Sequence, residues 1–577
     1  MIKLKKRMIF IIAVVNFILA GFLVFLILVM PINKYRNACT AMENGNYMEA
    51  FELFTKGATF KAGRQKAYIC CQNLALNEQY VDSFNCYMKI KNYEDSMQKA
   101  HEVAEKMFEE NMMKESWKAF KQLQDSESQD ASLLGWQSQI LETQIYDEDF
   151  NQVKNVNNGN YVDIISMYID NIYDYRGITD LNMCDILLQQ CSSLSDEVED
   201  KEYLTNKING IIDTDAQIKE IMSSMTLEEK VGQMLIVAMK KDINSMVSLI
   251  DKIKPGGVLF FGDDITTYEA TLAKVKKIKL ASDIPLIIGV DQEGGGVQRI
   301  NNTNYLTTYS VPAMKYVGDK NSTTLAYETG RILAEQLRVF GMNMDFAPVA
   351  DINSNPNNPV IGRRAFSSNA DTVSKMSVAV ANGLTDNNVI AVYKHFPGHG
   401  DTSSDSHYSL PVVNKSLSEL YQTELKPFIN AIQNNAEVIM VGHIALPQLT
   451  SSQSLPASLS EEIVTNLLRK QLGFKGVVTV DSLIMGGVTN NYSASEIYIK
   501  AVEAGVDLLL EPGSPELALS SIVESVKNGR ISEERIDESV YRILKLKINN
   551  IYDTYNNYLD QSHLTSSKNY AIVKQIY

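Results

Sequence analysis

Gly476-Val-Val-Thr-Val480 is an uncharged run that ends on Asp481. A short, continuous, Val-rich run is how a strand buried on both faces reads. Seven other runs share this texture: Met234–Ala238, Gly257–Phe261, Leu286–Val290, Asn343–Ala347, Val389–Tyr393, Glu437–Val441 and Val506–Leu510. Stretches with helical periodicity lie between them. Eight such strands alternating with helices predict an α/β fold, a (β/α)8 TIM-like barrel. We place the barrel at residues 213–555, with 556–577 as a C-terminal tail.

The residues just past the end of each run point to the function. Asp291 comes after the third and Asp351 soon after the fourth; Lys394-His395 comes after the fifth, Gly442-His443 after the sixth, Asp481 after the seventh and Glu511 after the eighth. A single acid after a strand is adequately explained as a helix N-cap. Several in one domain fit better at the mouth of a barrel, where such folds keep their active sites.

The chain has six histidines, and four lie between positions 395 and 443. Three fall in Lys394-His-Phe-Pro-Gly-His-Gly-Asp-Thr-Ser-Ser-Asp-Ser-His407, a loop composition rather than a core one. Two chemistries fit it. Metal-assisted hydrolysis would call for ligands after the first strand, but Ile236-Val-Ala-Met239 offers no hard donors there. Metal-free acid/base catalysis needs a carboxylate to orient an imidazole and support its protonated form. Asp405 and His407, two apart on a loop, supply that pair. It also needs a separate carboxylate nucleophile, and Asp481 is placed for it. No metal or cofactor is expected.

The rest of the chain reads differently. Lys3, Lys5, Lys6 and Arg7 precede an apolar run from Met8 to Met30, broken only by Asn16. That run is long enough to cross a hydrocarbon core of about 30 Å as a helix. Residues 1–32 are therefore expected to be a basic tail and a single transmembrane anchor, with a cleaved signal peptide as the alternative. The basic flank places the body of the protein outside the cytoplasm, at the cell membrane. Residues 33–212 carry a repeat. Tyr47-Met-Glu-Ala-Phe-Glu-Leu-Phe54 recurs as Tyr80-Val-Asp-Ser-Phe-Asn-Cys-Tyr87, as Met113-Lys-Glu-Ser-Trp-Lys-Ala-Phe120, and more faintly as Tyr146-Asp-Glu-Asp-Phe-Asn-Gln-Val153, at an offset of 33 residues. Large apolar residues at positions 1, 5 and 8 make one helix face. The period predicts an all-α, tetratricopeptide-like region whose aromatics are core; a protein partner for it is the further option. All six cysteines precede residue 200, and disulfides there are compatible with an external location. The net charge of −15 argues against a nucleic-acid partner, which would require a basic face.

The barrel's motifs, taken in order, resemble bacterial β-N-acetylglucosaminidases of glycoside hydrolase family 3, over about residues 218 to 550. Met225-Thr-Leu-Glu-Glu-Lys-Val-Gly-Gln-Met234 is similar to the family's opening. Gly289-Val-Asp-Gln-Glu-Gly-Gly295 resembles the third-strand motif, whose acid, Asp291 here, binds sugar hydroxyls. Asn358-Pro-Val-Ile-Gly-Arg-Arg-Ala-Phe366 is similar to the segment whose arginine grips the sugar, which by position is Arg364. Lys394-His395 resembles the pair contacting the sugar ring. The loop through Asp405-Ser-His407 is the mark of the N-acetylglucosaminidase branch, where a histidine–aspartate pair is the acid/base. Thr479-Val-Asp-Ser-Leu483 resembles the nucleophile motif, with Asp481 as nucleophile.

One position departs from the pattern. The family reads Gly-Gly-Arg-Val after the third strand, and here Gly296 stands where the arginine would be, with Arg299 retained. The family's second, sandwich-like domain is not expected in the short stretch after residue 550. The resemblance implies hydrolysis of terminal β-linked N-acetylglucosamine with retention, on a cell-wall or related glycan. Three alternatives stay open at this stage: phosphorolysis by the same residues, action on another β-glycoside, and a surface binding protein that keeps the barrel as an inactive relic.

Overall fold

The computed structural model describes residues 30–57, 61–90, 96–109, 119, 169, 172–173, 176–193 and 201–577, apart from 302–304 and 451. The expected membrane span lies outside the described residues but for its last position. Among the described residues no helix is long and apolar enough to cross a membrane. The chain divides into two compact units, Met1–Tyr168 with Gln189–Val198, and Ile169–Leu188 with Glu199–Tyr577.

In the first unit, helices Met30–Glu43, Tyr47–Gly57, Lys61–Leu76, Tyr80–Lys89 and Ser96–Glu109 each pack against the next. Phe51 and Phe54 of the first repeat copy are buried, as are Tyr80, Phe84 and Tyr87 of the second. Spacing of i, i+4 and i+7 places them on one helix face, and that face is the one turned inward. The third and fourth copies lie outside the described residues except for Ala119. The six cysteines are all free thiols, and all but Cys39 are buried. Burial pushes the Cys70 thiol up to about 12.

The second unit is the barrel. Strands β1 (Leu235–Ala238), β2 (Gly257–Phe260), β3 (Ile287–Val290), β4 (Met344–Asp345), β5 (Ile390–Phe396), β6 (Val438–Val441), β7 (Val477–Val480) and β8 (Leu509–Leu510) each arise within an expected run. All neighbours are parallel, in the order β7-β6-β5-β4-β3-β2-β1-β8. A parallel bridge between Thr479 and Leu508 closes the ring. β5 runs further than expected, so Lys394 and His395 belong to the strand rather than to the loop after it. Its register against β6 shifts between Lys394 and Phe396, a bulge of the kind that re-aims side chains beside active sites.

Two boundaries differ from expectation. The division at 212/213 falls inside the helix Lys201–Ser223, which packs on the helix Glu533–Asn550. There Tyr541 donates to Asp215 at 2.8 Å. The segment set apart as a tail is also part of the barrel's packing: Leu564, Val573 and Ile576 join its hydrophobic core.

At the end opposite the strand C-termini, buried Asp507 anchors β8 to the helices around it. It accepts from Arg469 at 2.5 Å, Arg542 at 2.7 Å, Ser539 at 2.6 Å and the Val478 amide at 2.9 Å. Its carboxyl is held well below the usual range: burial opposes ionisation, but Arg469 and Arg542 outweigh it. Replacing Asp507 by Ala would leave buried guanidiniums without a counter-charge. We expect a loss of about 3–5 kcal/mol, read as a lowered urea midpoint.

Candidate active site

Asp481 comes directly after β7, with its side chain 20% exposed. Its Oδ1 accepts from the Ser482 amide at 2.8 Å, and its Oδ2 lies 4.0 Å from His395 Nε2. Burial favours its protonated form, but His395, His443, the Ser482 amide and Lys394 together pull the carboxyl down to about 2. Asp481 is thus held ionised, the form in which a carboxylate can act as a nucleophile.

His395 is aimed from behind. Its Nδ1 lies 2.6 Å from Asp351 Oδ2, and Asp351, fully buried, also accepts the backbone amides of His395 and His399. Burial disfavours the Asp351 carboxylate, but His395 and the other donors lower it below its usual value. The line Asp351–His395–Asp481 therefore alternates carboxylate, imidazole and carboxylate. We expect Asp351→Asn to loosen His395, the first of the neighbours that hold Asp481 ionised. The carboxyl of Asp481 would then rise toward its ordinary value. If activity needs the ionised form, it would be lost at low pH first, with the acid limb of kcat/KM moving to higher pH. A pH–rate profile of the variant checks this.

A second group of charges lies across the mouth. Lys394 Nζ donates to Asp291 at 2.9 Å and lies 2.6 Å from Glu293. Arg364 forks onto Glu293 at 2.8 and 2.7 Å, whereas Arg363 is exposed. Arg299 reaches the other oxygen of Asp291 at 3.2 Å. Burial works against the Glu293 carboxylate, but Arg364 and Lys394 hold it far below the usual range. Gly296 is exposed, and a Cβ added there would meet nothing within 4 Å, so the absent arginine leaves no gap in the packing.

His407 stands on the loop after β5 with its side chain 59% exposed, and its Nδ1 is 2.7 Å from Asp405 Oδ1. Asp405 also accepts the His407 amide at 2.9 Å. Burial of Asp405 is outweighed by these bonds, and its carboxyl is lowered. This loop is joined to the segment after Asp481: Gly486 N donates to His407 O and Gly487 N to Ser406 O, both at 3.0 Å. Gly486 has no room for a side chain, since a Cβ would lie 2.7 Å from Tyr408 O.

The other two histidines of the cluster serve the framework. His443 donates Nε2–H to Ser482 O at 3.0 Å and accepts from Ser458 at 2.7 Å; burial lowers its pKa. His399 bonds Ser406 and Thr402 at 2.9 Å each. Among the described residues, no three of His, Cys, Asp and Glu are grouped to hold a metal ion.

The structure thus brings Asp291, Arg364, Lys394 and His395 into one charged wall with Asp481, and holds Asp405 and His407 as a pair on the adjoining loop. Glu293, which carries no role in the sequence motifs, is the hub of that wall. Its signal is its position two residues after Asp291, on the same strand end. Asp351 and His443 stand out in the sequence as mouth residues, but without a role.

The fold and this site define a class, the (β/α)8 barrels that gather carboxylate and imidazole groups at the strand ends of the mouth. Residues 226–546 match the Glycosyl hydrolase family 3 N terminal domain, and the chain belongs to that family. It is 33% identical over 327 residues to beta-hexosaminidase A of Pseudoalteromonas piscicida, covering 52% of this chain and 54% of that one. It therefore spans about half of that relative's length. It is 32% identical over 336 residues to beta-hexosaminidase LpqI of Mycobacterium tuberculosis, covering 57% of this chain and 84% of the relative. Among solved structures, the family 3 β-N-acetylglucosaminidase of Paenibacillus sp. str. FPU-7 superposes with a TM-score of 0.58 at 35% identity, covering 61% of this chain and 68% of that one.

Proposed function

We propose that this protein is a retaining β-N-acetylglucosaminidase that removes terminal β-linked N-acetylglucosamine from cell-wall or related glycans. The observation that carries the proposal is Asp481, a carboxylate held ionised at a barrel mouth, with the Asp405–His407 pair on a loop hydrogen-bonded to the segment just after it. The names of the relatives support the choice of sugar.

In the first step Asp481 attacks the anomeric carbon while His407 protonates the leaving oxygen. The transition state is oxocarbenium-like, and a glycosyl ester forms on Asp481. Asp405 supports the imidazolium and holds its ring. In the second step His407 acts as base and draws a proton from water, which displaces Asp481 with a second inversion. Asp291, Arg364, Lys394 and His395 present charged donors and acceptors to the sugar hydroxyls, and Lys394 and Arg364 also keep the acidic wall from repelling the nucleophile.

The proposal extends to the cell. The basic segment before Met8–Met30 supports a single membrane anchor with the barrel outside the cytoplasm. The stacked helices after it support a tetratricopeptide-like spacer or partner-binding region.

The test is release of nitrophenol from nitrophenyl β-N-acetylglucosaminide and from the β-glucoside, with and without phosphate. Turnover of the first substrate alone is expected. Turnover of the glucoside alone would contradict the proposed sugar class. Faster turnover in phosphate, with a sugar phosphate as product, would replace hydrolysis by phosphorolysis. No turnover of either would move the reading to a binding protein.

A further inference from the structure

We infer that the C-terminal residues 561–576 are a positioning element of the sugar site, acting on Asp291 and Arg299 through a buried chain of amide hydrogen bonds centred on Gln292. The inference rests on the proposed glycosidase reading.

The chain begins at Asn569, in the helix Ser567–Ile576, which is 1% exposed. Its side-chain amide donates to Tyr309 Oη at 2.9 Å and to Glu335 at 2.7 Å. The Tyr309 hydroxyl in turn donates to His563 O at 3.1 Å. The carbonyl of the same Tyr309 accepts from Gln336 at 3.1 Å and from Asn301. Gln292 donates to both of these side chains, to Asn301 at 2.8 Å and to Gln336 at 3.0 Å. Its own carbonyl oxygen accepts the backbone amides of Arg299 at 2.8 Å and Ile300 at 3.2 Å. Its backbone amide donates to Asp345 at 2.9 Å.

Gln292 and Gln336 are both fully buried, and the Gln292 side chain uses both donors and both lone pairs. A buried side chain satisfied at every donor and acceptor is held rigidly, because any rotation strands a group without a partner. Gln292 lies between Asp291 and Glu293, and it also grips the backbone that carries Arg299. The Asp291–Arg299 pair, at 3.2 Å, is therefore held at one end by the Gln292 side chain and at the other by the Gln292 backbone. That side chain is fixed in turn by residues whose far anchor is the C-terminal helix. Loosening the anchor loosens the groups that hold sugar hydroxyls before and during reaction, and leaves Asp481 and His407 in place.

The test compares the full chain in detergent with three variants. Asn569→Leu and Tyr309→Phe cut the chain of bonds. Val573→Ala removes buried apolar contact from the same helix and touches none of the bonds. Each is assayed on nitrophenyl β-N-acetylglucosaminide, and its affinity for N-acetylglucosamine is measured by calorimetry. Loss of uniform binding raises KM without changing kcat. We expect Asn569→Leu and Tyr309→Phe to raise KM, and to weaken the sugar's Kd, by about five- to tenfold, with kcat within about twofold of wild type. Val573→Ala should lower the melting temperature and leave KM and Kd unchanged. Unchanged KM and Kd in Tyr309→Phe, or an equal rise in Val573→Ala, would overturn the inference. Tyr309→Phe decides alone should Asn569→Leu not fold. A wild-type chain that neither turns over the glycoside nor binds the sugar sinks the underlying reading, and this inference with it.

Discussion

Asp481→Ala lowers kcat/KM on nitrophenyl β-N-acetylglucosaminide by about 10³-fold or more, a loss of roughly 4 kcal/mol of transition-state stabilisation. The size follows from the proposed role of Asp481: if its oxygen forms the bond to the anomeric carbon, its removal deletes a step rather than a contact. No neighbour can take its place. Asp291 and Glu293 are engaged by Lys394, Arg299 and Arg364. Glu511 accepts from Ser482 at 2.6 Å, and burial raises its pKa. Among the described residues, the side chain of Asp481 makes no hydrogen bond beyond the amide of the next residue, so the variant should keep its melting temperature within a few degrees. Substantial residual turnover would remove Asp481 from the mechanism.

His407→Ala gives a loss that depends on the leaving group. General acid catalysis is worth about 10²–10⁴-fold where the departing oxygen is basic. A sugar alkoxide needs the proton, whereas a nitrophenolate leaves with little help. We therefore expect the full loss on a β-linked disaccharide and a much smaller one on the nitrophenyl substrate. Asp405→Asn should lie between wild type and His407→Ala, since Asn can still accept the ring N–H but contributes no charge. An equal loss on both substrates would mean that His407 positions the sugar instead of protonating the leaving group.

The barrel was legible because most of its strands arise in short apolar runs rich in Val and Ile, and the residues at their ends carried most of the site. The parts that stayed hidden involve contacts distant in sequence. β4 has only two residues in the ladder, and the side chain of Asn343 completes the pairing, accepting from Ile288 at 2.7 Å and donating to Leu286 at 3.0 Å. A polar side chain standing in for backbone leaves no periodic trace. Asp351 meets His395 across 44 residues, and Glu293 meets Arg364 across 71; each acid alone reads as an ordinary loop or cap residue. Lys394 and His395 read as a loop because two polar residues ended an apolar run. The bulge between β5 and β6 allows both to face the site while the strand continues to Phe396. The last residues read as a tail because the stretch after the last expected barrel element is short and carries no motif. The bonds of Asn569 and His563 to Tyr309 and Glu335, some 230 to 260 residues away, hold them to the barrel.

The proposed mechanism passes through a covalent bond between sugar and Asp481. The direct measurement is to trap the enzyme with a fluorinated N-acetylglucosaminyl donor whose second step is slow, digest it, and map the adduct by mass spectrometry. One added sugar is expected on the peptide that contains Asp481, and none in Asp481→Ala. An adduct on another residue, or turnover that releases the inverted anomer with no adduct at all, would contradict that mechanism.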